Sequence, residues 1–348
     1  MRLGCCLHAG MAGVETEVTE YSLSAAPGER RVWKRRITDY VLPAVCMQGT
    51  FGMEMEKQME YRDRRFTEER ALFGSRDITI NGCVFDVGES PLKESRKINA
   101  SQSLFRYKYP FWYCEDVDLE RVTFFEMARA GVWYTKRFSM KNSIVEAPKN
   151  FRRCEDISLT NVMIPHAEET LWFCRNVNLE GVKANGPYFA MGSSHVRVKD
   201  LDLIGDYSFD GVVDCEVWDS HLASKDAFWN TSGVVIRNSF ITGEYLGWNA
   251  KDLTLIDCTI ESLQGMCYID NLVMKNCRLI NTNLAFEYCS VDADLKGSVD
   301  SVFNPKKGII RADHIEHLVM QEGVIDPGDT EILCESIGDR RDTPDGLW

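Results

Sequence analysis

The chain has 348 residues, 44% of them hydrophobic and 27% charged, with a formal net charge of −13. That suits a soluble globular protein with one large domain or two ordinary ones. The acidic balance excludes a nucleic-acid partner held through its phosphates, because such contacts need a basic face. No stretch reaches the roughly 18 consecutive apolar residues of a membrane helix, so no membrane partner is expected either.

Residues 1–60 read as an N-terminal extension or cap. The opening run MRLGCCLHAGMAGVETEV is a poor secretion signal, with one Arg, an apolar run broken by His8 and no clean small-x-small cleavage site. Thirteen cysteines, an odd number with no CxxC spacing, fit reduced cytoplasmic thiols better than a disulfide framework. They also offer no zinc spacing, so no metal and no cofactor is expected.

From Ile78 onward an eight-residue phrase recurs, apolar or small at its first, third, sixth and eighth places. It reads ITINGCVF from Ile78, INASQSLF from Ile98, VDLERVTF from Val117 and FSMKNSIV from Phe138. Further copies start at Ile157, Val177, Val196, Cys215, Val234, Leu253 and Leu272, with weaker ones at Val291 and Leu318. The early spacings are 19 to 21 residues, and from Val177 to Val291 each is 19. Period-two alternation is strand chemistry. The fifth place is almost always Gly, Asn, Asp or Arg, as at Gly82, Arg121, Asn142, Asp200 and Asn276, and these are mostly residues that tolerate a left-handed corner. Each phrase is therefore strand, corner, strand, and strands this short must stack on their copies at about 4.8 Å. The expected fold is all-β, a right-handed parallel β-helix of about twelve coils over residues 61–325, followed by a tail at 326–348. A leucine-rich repeat is the rival, but its units are longer and want Asn or Cys where this chain mostly has Val or Ser.

Between phrases runs a third segment. Six and three places before each phrase lie apolar or small residues such as Phe151 and Cys154, or Phe228 and Thr231. Both columns point inward, and the shared columns of cysteines read as buried small hydrophobes. The two places between them must point outward. The first outward column runs Trp112, Trp133, Arg152, Trp172, Met191, Asp210, Trp229, Trp248, Cys267, Phe286. The second runs Tyr113, Tyr134, Arg153, Phe173, Gly192, Gly211, Asn230, Asn249, Tyr268, Glu287. An outward aromatic stripe rimmed by polar groups usually marks a binding surface. Flat rings beside Arg, Asn and Asp suit a sugar, so a saccharide or other small polar ligand is the expected partner.

Polar groups on the neighbouring loops supply candidate chemistry. Asp206, Lys225 and Glu244 take equivalent places in successive coils, which sets the two carboxylates about 10 Å apart, near the upper end for an inverting glycosidase pair. His166, Glu168 and Glu169 fall beside Arg152 and Arg153 and form a second acid–base candidate. Tyr188, Tyr207 and Tyr245 form an outer column at the groove's edge, where hydroxyls could bind or donate a proton. The candidate catalytic residues are thus Asp210, Asp206, Glu244, His166 and Glu168. The candidate binding residues are Trp112, Tyr113, Trp133, Tyr134, Arg152, Arg153, Trp172, Tyr188, Lys225, Trp229, Asn230, Tyr245, Trp248 and Asn249. A surface ladder of ion pairs would give the same polar pattern without catalysis.

The repeat as a whole resembles the pectin-lyase-like β-helix superfamily. More narrowly, YPFWY, EMARAGVWYT, EAPKNFRR, PHAEETLWFC, SKDAFWN, GEYLGWN and NTNLAFEY resemble the bacterial family named domain of unknown function 3737, from roughly Tyr61 to Leu318. That resemblance implies a single β-helix and no particular activity. The superfamily is mostly polysaccharide lyases and hydrolases, yet the paired Asp and Gly-His-Gly motifs of its hydrolases are not found here. The expectation is a carbohydrate-binding protein, with hydrolysis or elimination as its enzymatic form. The alternative is a non-catalytic scaffold that forms a homo-oligomer through the stripe.

Overall fold

The structure is a computed structural model and describes residues 59–347, so nearly all of the expected N-terminal extension lies outside the described residues. Strands form at the predicted phrases, and each pairs in parallel with the next. Ile78 lies beside Ile98, Val177 beside Val196, Val234 beside Leu253 and Leu272 beside Val291. The product is a parallel β-solenoid of about 15 turns at a spacing of about 19 residues. The turns beyond the expected twelve lie at the ends, where Met59–Arg62 pairs with Arg76–Asn81, Lys307–Val319 with Ser290–Leu295, and Thr330–Arg341 with Lys307–Val319. A terminal rung is covered on one side only, so its sequence need not carry the full apolar alternation. The phrase expected to open at Leu318 closes a rung instead. Val291 pairs with Gly308, the coil shortens, and Leu318 ends up opposite Val302 and Arg340.

The predicted corners adopt the left-handed backbone at Gly82, Arg121, Asn142, Asn161, Gly181, Asp200, Asp219, Asn238, Asp257 and Asn276. Side-chain amides bridge successive corners, for example Asn238 Nδ2 to Asp219 Oδ1 at 2.7 Å and Asn276 Nδ2 to Asp257 Oδ1 at 2.6 Å. Stacking places a residue of one type on its copy, so a corner that costs backbone strain recovers a hydrogen bond from the coil below.

Inside, the core is a set of columns. Phe66, Phe85 and Phe105 stack with centroids 4.8 and 4.9 Å apart, and Phe209 lies on Phe228 at 4.9 Å. The cysteine column behaves as a hydroxyl column would. Cys114 Sγ donates to Leu92 O at 3.1 Å, Thr135 Oγ1 to Phe111 O at 2.9 Å, Cys174 Sγ to Phe151 O at 3.0 Å and Ser193 Oγ to Leu171 O at 2.6 Å. Burial pushes the Cys114 thiol up to about 12. All the cysteines among the described residues are free, and of these only Cys334 is more than slightly exposed. These thiols are packing groups.

Candidate functional site

From Trp112 to Trp248 the outward columns exist as read, but their rings are turned. Trp112 and Trp133 stack at 5.0 Å with planes 5° apart, and Tyr113 stacks on Tyr134 at 4.9 Å. Arg152 then inserts its guanidinium between Trp133, at 4.8 Å, and Trp172, at 4.6 Å, while pairing with Glu169 at 2.6 Å. The indole N–H groups of Trp112, Trp133, Trp172 and Trp229 donate to the carbonyls of Ala130, Lys149, Tyr188 and Tyr245. Ring faces are therefore used by neighbouring coils, and edges meet the solvent. Arg152 is held by two indoles and a carboxylate, whereas the next side chain, Arg153, is exposed beside Phe173.

The stripe changes character at its middle. Gly192 carries the Phe173 ring, since a Cβ there would fall 2.5 Å from it, and a Cβ at Gly211 would meet only Gly192 Cα at 3.9 Å. The Phe173 ring thus roofs Gly192, and only Gly211 leaves the second column without a side chain or a cover, a notch one coil wide. Met191 and Asp210 flank it in the first column, with Trp229 and Asn230 following at its far end. Asn230 Nδ2 donates to Asp210 Oδ1 at 2.9 Å, and Asn249 Nδ2 to Asn230 Oδ1 at 3.0 Å. Trp229-Asn230 and Trp248-Asn249 thus share one arrangement, in which the Asn side chains lace left-handed corners together and the indoles pack against neighbouring coils.

The strand Ser194–Asp206 and its neighbour His221–Lys225 bring the loop row alongside. Asp206 lies in register with Lys225, and Lys225 Nζ pairs with Glu244 at 3.0 Å. Tyr188 stacks on Tyr207 at 5.3 Å, and Tyr207 meets Trp229 edge to face at 5.6 Å. Next in the tyrosine column, between Tyr207 and Tyr245, stands Asp226. Sequence reasoning missed it. Asp226 is 2% exposed, the only charged side chain among the described residues to be buried, and its Oδ1 has no hydrogen-bond partner. Burial raises its pKa, against the pull of Lys225 and of the Tyr207 hydroxyl within hydrogen-bonding reach. The Asp226 charge in turn raises the Tyr207 pKa. The available signal was its place, because an acid replaces tyrosine in a column of Tyr188, Tyr207 and Tyr245.

The other candidates fall elsewhere. Lys149 pairs with Glu168 at 3.6 Å and with Glu169 at 3.2 Å, and Arg152 also holds Glu169, so these carboxylates bind a loop network; His166 is exposed nearby. Trp248 continues the stripe toward Tyr268, whose ring lies 4.8 Å away. Beyond that the expected register fails. Cys267 and Phe286 are buried, and Tyr268 faces Tyr288 at 5.3 Å, one position later than expected. An extra residue enters that coil, so Phe286 turns into the core and Glu287 takes its place outside. Burial raises the Glu287 pKa, and Gln264 Nε2 donates to its Oε2 at 2.9 Å. No group of three or more His, Cys, Asp or Glu among the described residues is arranged to hold a metal ion.

A family model described as "Protein of unknown function (DUF3737)" matches residues 59–333. No curated protein matches the chain. Among solved structures, the A-module of the Azotobacter vinelandii mannuronan C-5 epimerase AlgE4 is 13% identical with a TM-score of 0.30. That likeness covers 68% of this chain and 89% of the module. QnrB1, a plasmid-mediated fluoroquinolone resistance protein, is 11% identical over 64% of this chain and 92% of its own, with a TM-score of 0.19. At these scores neither bears on the site.

Proposed function

The chain belongs to the family described as protein of unknown function (DUF3737), and from that premise we propose that it binds a saccharide across the notch, with Asp226 and Tyr207 as its proton-transfer pair. The observation that carries the reading is Asp226, a buried carboxyl with one oxygen unpartnered, raised pKa and a tyrosyl hydroxyl at hand. A carboxyl whose pKa is raised by burial holds its proton to higher pH than a free one, which suits a general acid. Unmet hydrogen bonding of this kind collects where function needs it. Asp206 and Glu244, held apart on either side of Lys225, and Asp210, held by Asn230, supply oxygen acceptors for hydroxyl groups. Trp229 closes one end, and Tyr188 and Tyr207 form the side wall. A neutral polyhydroxylated ring fits this mixture of carboxylates, phenols and an indole edge better than an anion does. Unpaired thiols fit a cytoplasmic setting.

Glycan-array binding with the wild type, Asp210→Ala and Trp229→Ala tests the site. Binding should fall at least tenfold in both variants and persist in Tyr113→Ala, some coils away. Binding by the wild type that both notch variants retain would overturn the reading.

One observation favours a second reading, a non-catalytic scaffold. Tyr113 and Phe173 are 48% and 49% exposed along the stripe, an apolar edge of the kind protein partners cover. A dimer that falls to monomers on Trp172→Ala with Trp229→Ala, by light scattering, would support it.

A further inference from the structure

The last rung carries an unpaired edge. Thr330–Arg341 pairs with Lys307–Val319 on one side, and among the described residues no strand pairs with its other side. The described residues that follow it, 342–347, do not return to cover that edge. Asp342 O accepts from Gln321 Nε2 at 3.1 Å, Leu347 O accepts from Asn283 Nδ2 at 2.7 Å, and Leu347 packs against Leu284, Phe303 and Val319 on the flank. The open edge is 12 residues long, about 40 Å at strand rise. Ile332, Cys334 and Ile337 on it stay half-buried where their counterparts Ile310, Ala312 and Ile315 are buried. A long edge with unfinished apolar burial is a pairing template unless something caps it.

The strand bends at its centre. Ala312 and Ile315 are both buried although three residues apart, which a straight strand forbids, and Cys334 and Ile337 lie in register with them. The corner therefore falls at Glu335–Ser336 and divides the strand into two arms of six residues, 330–335 and 336–341. A two-fold axis along the bisector of that corner lays each arm antiparallel on the opposite arm of a second copy. In that register Cys334 faces Ile337, Ile332 faces Asp339 and Thr330 faces Arg341, so inward meets inward. On the outer side Glu331 faces Arg340. Neither Glu331 nor Arg340 has an ion-pair partner among the described residues, and the symmetry creates their pair twice.

We propose that two copies of this chain pair end to end through antiparallel Thr330–Arg341 strands, closing the open end of the solenoid with an isologous sheet. The symmetry matches the surface: an acidic first arm meets a basic second arm, and the pairing consumes both free edges, so it stops at two.

Sedimentation equilibrium of the full chain at micromolar concentrations should give twice the mass of one chain. Glu331→Arg or Arg340→Glu alone should weaken the dimer about tenfold or more by setting like charges opposite each other, and the two together should restore it. Ile337→Cys places a thiol opposite Cys334 of the second copy, so mild oxidation should yield a disulfide-linked dimer that the wild type does not form. A monomeric wild type, or a dimer unmoved by either single charge reversal, overturns the proposal. So does a dimer lost in the Trp172→Ala, Trp229→Ala pair but kept in Glu331→Arg. None of these results touches the notch, whose glycan test stands separately.

Discussion

Replacing Asp226 by Asn separates a functional carboxyl from a structural one. The side chain is 2% exposed with Oδ1 unpartnered, and a buried polar group left unsatisfied costs about 1–3 kcal/mol, more once it is charged. Burial is the largest influence on its titration and raises the pKa above the ordinary 3.8. The folded state therefore favours the protonated form. The stability this gives is complete below the unfolded pKa and is lost as pH rises through the folded pKa. Asn keeps the shape but does not titrate, so the wild type should lose ground to Asp226→Asn across that window and then level off. The wild type should lose at most about 1–3 kcal/mol to the variant between acid and neutral pH, the size of the unsatisfied-group cost above. Urea midpoints measured for both proteins across that range check it. A difference that is independent of pH would show that the carboxyl is not held neutral by the fold. A wild type that gains on the variant as pH rises would show the sign to be wrong. In either case the proton-transfer role of Asp226 fails with it.

Other outcomes follow from the columns. Phe209→Ala or Phe228→Ala breaks a fully buried stacked pair and should destabilise by about 3–5 kcal/mol in urea unfolding. Arg152→Ala removes two cation–π contacts and the ion pair to Glu169, a loss of about 1–3 kcal/mol, while Arg153→Ala should leave the unfolding midpoint nearly unchanged. In a protein with Cys5, Cys6 and Cys46 replaced by Ser, a thiol reagent should modify at most Cys334 in the native state and every thiol after denaturation. Gly243→Ala would press a Cβ within 2.2 Å of Ser224 O and should loosen the pairing of Phe240–Gly243 with its neighbours, lowering both stability and glycan binding.

Much of this protein was determined by its sequence alone. An eight-residue phrase, repeated about every 19 residues with Asn, Asp or Gly mostly at its fifth place, specifies strand, left-handed corner and strand, because side-chain direction along a strand and tolerance of positive φ are local properties. The inward thiols were legible for the same reason: Cys114 and Cys174 sit where period and spacing demand a small buried group. Tertiary structure decided whatever depends on the coil above or below. The sequence shows that Trp133, Arg152 and Trp172 point outward; only stacking shows that their faces enclose one another and leave edges for solvent. Asp226 reads as one more loop carboxylate until Tyr207, Lys225 and the flanking coils bury it. A single extra residue near Phe286 exchanged it with Glu287, a slip that composition could not reveal because both neighbours suit a surface. Local chemistry sets the direction of each side chain, but the neighbouring coils set its exposure, its partners and its charge.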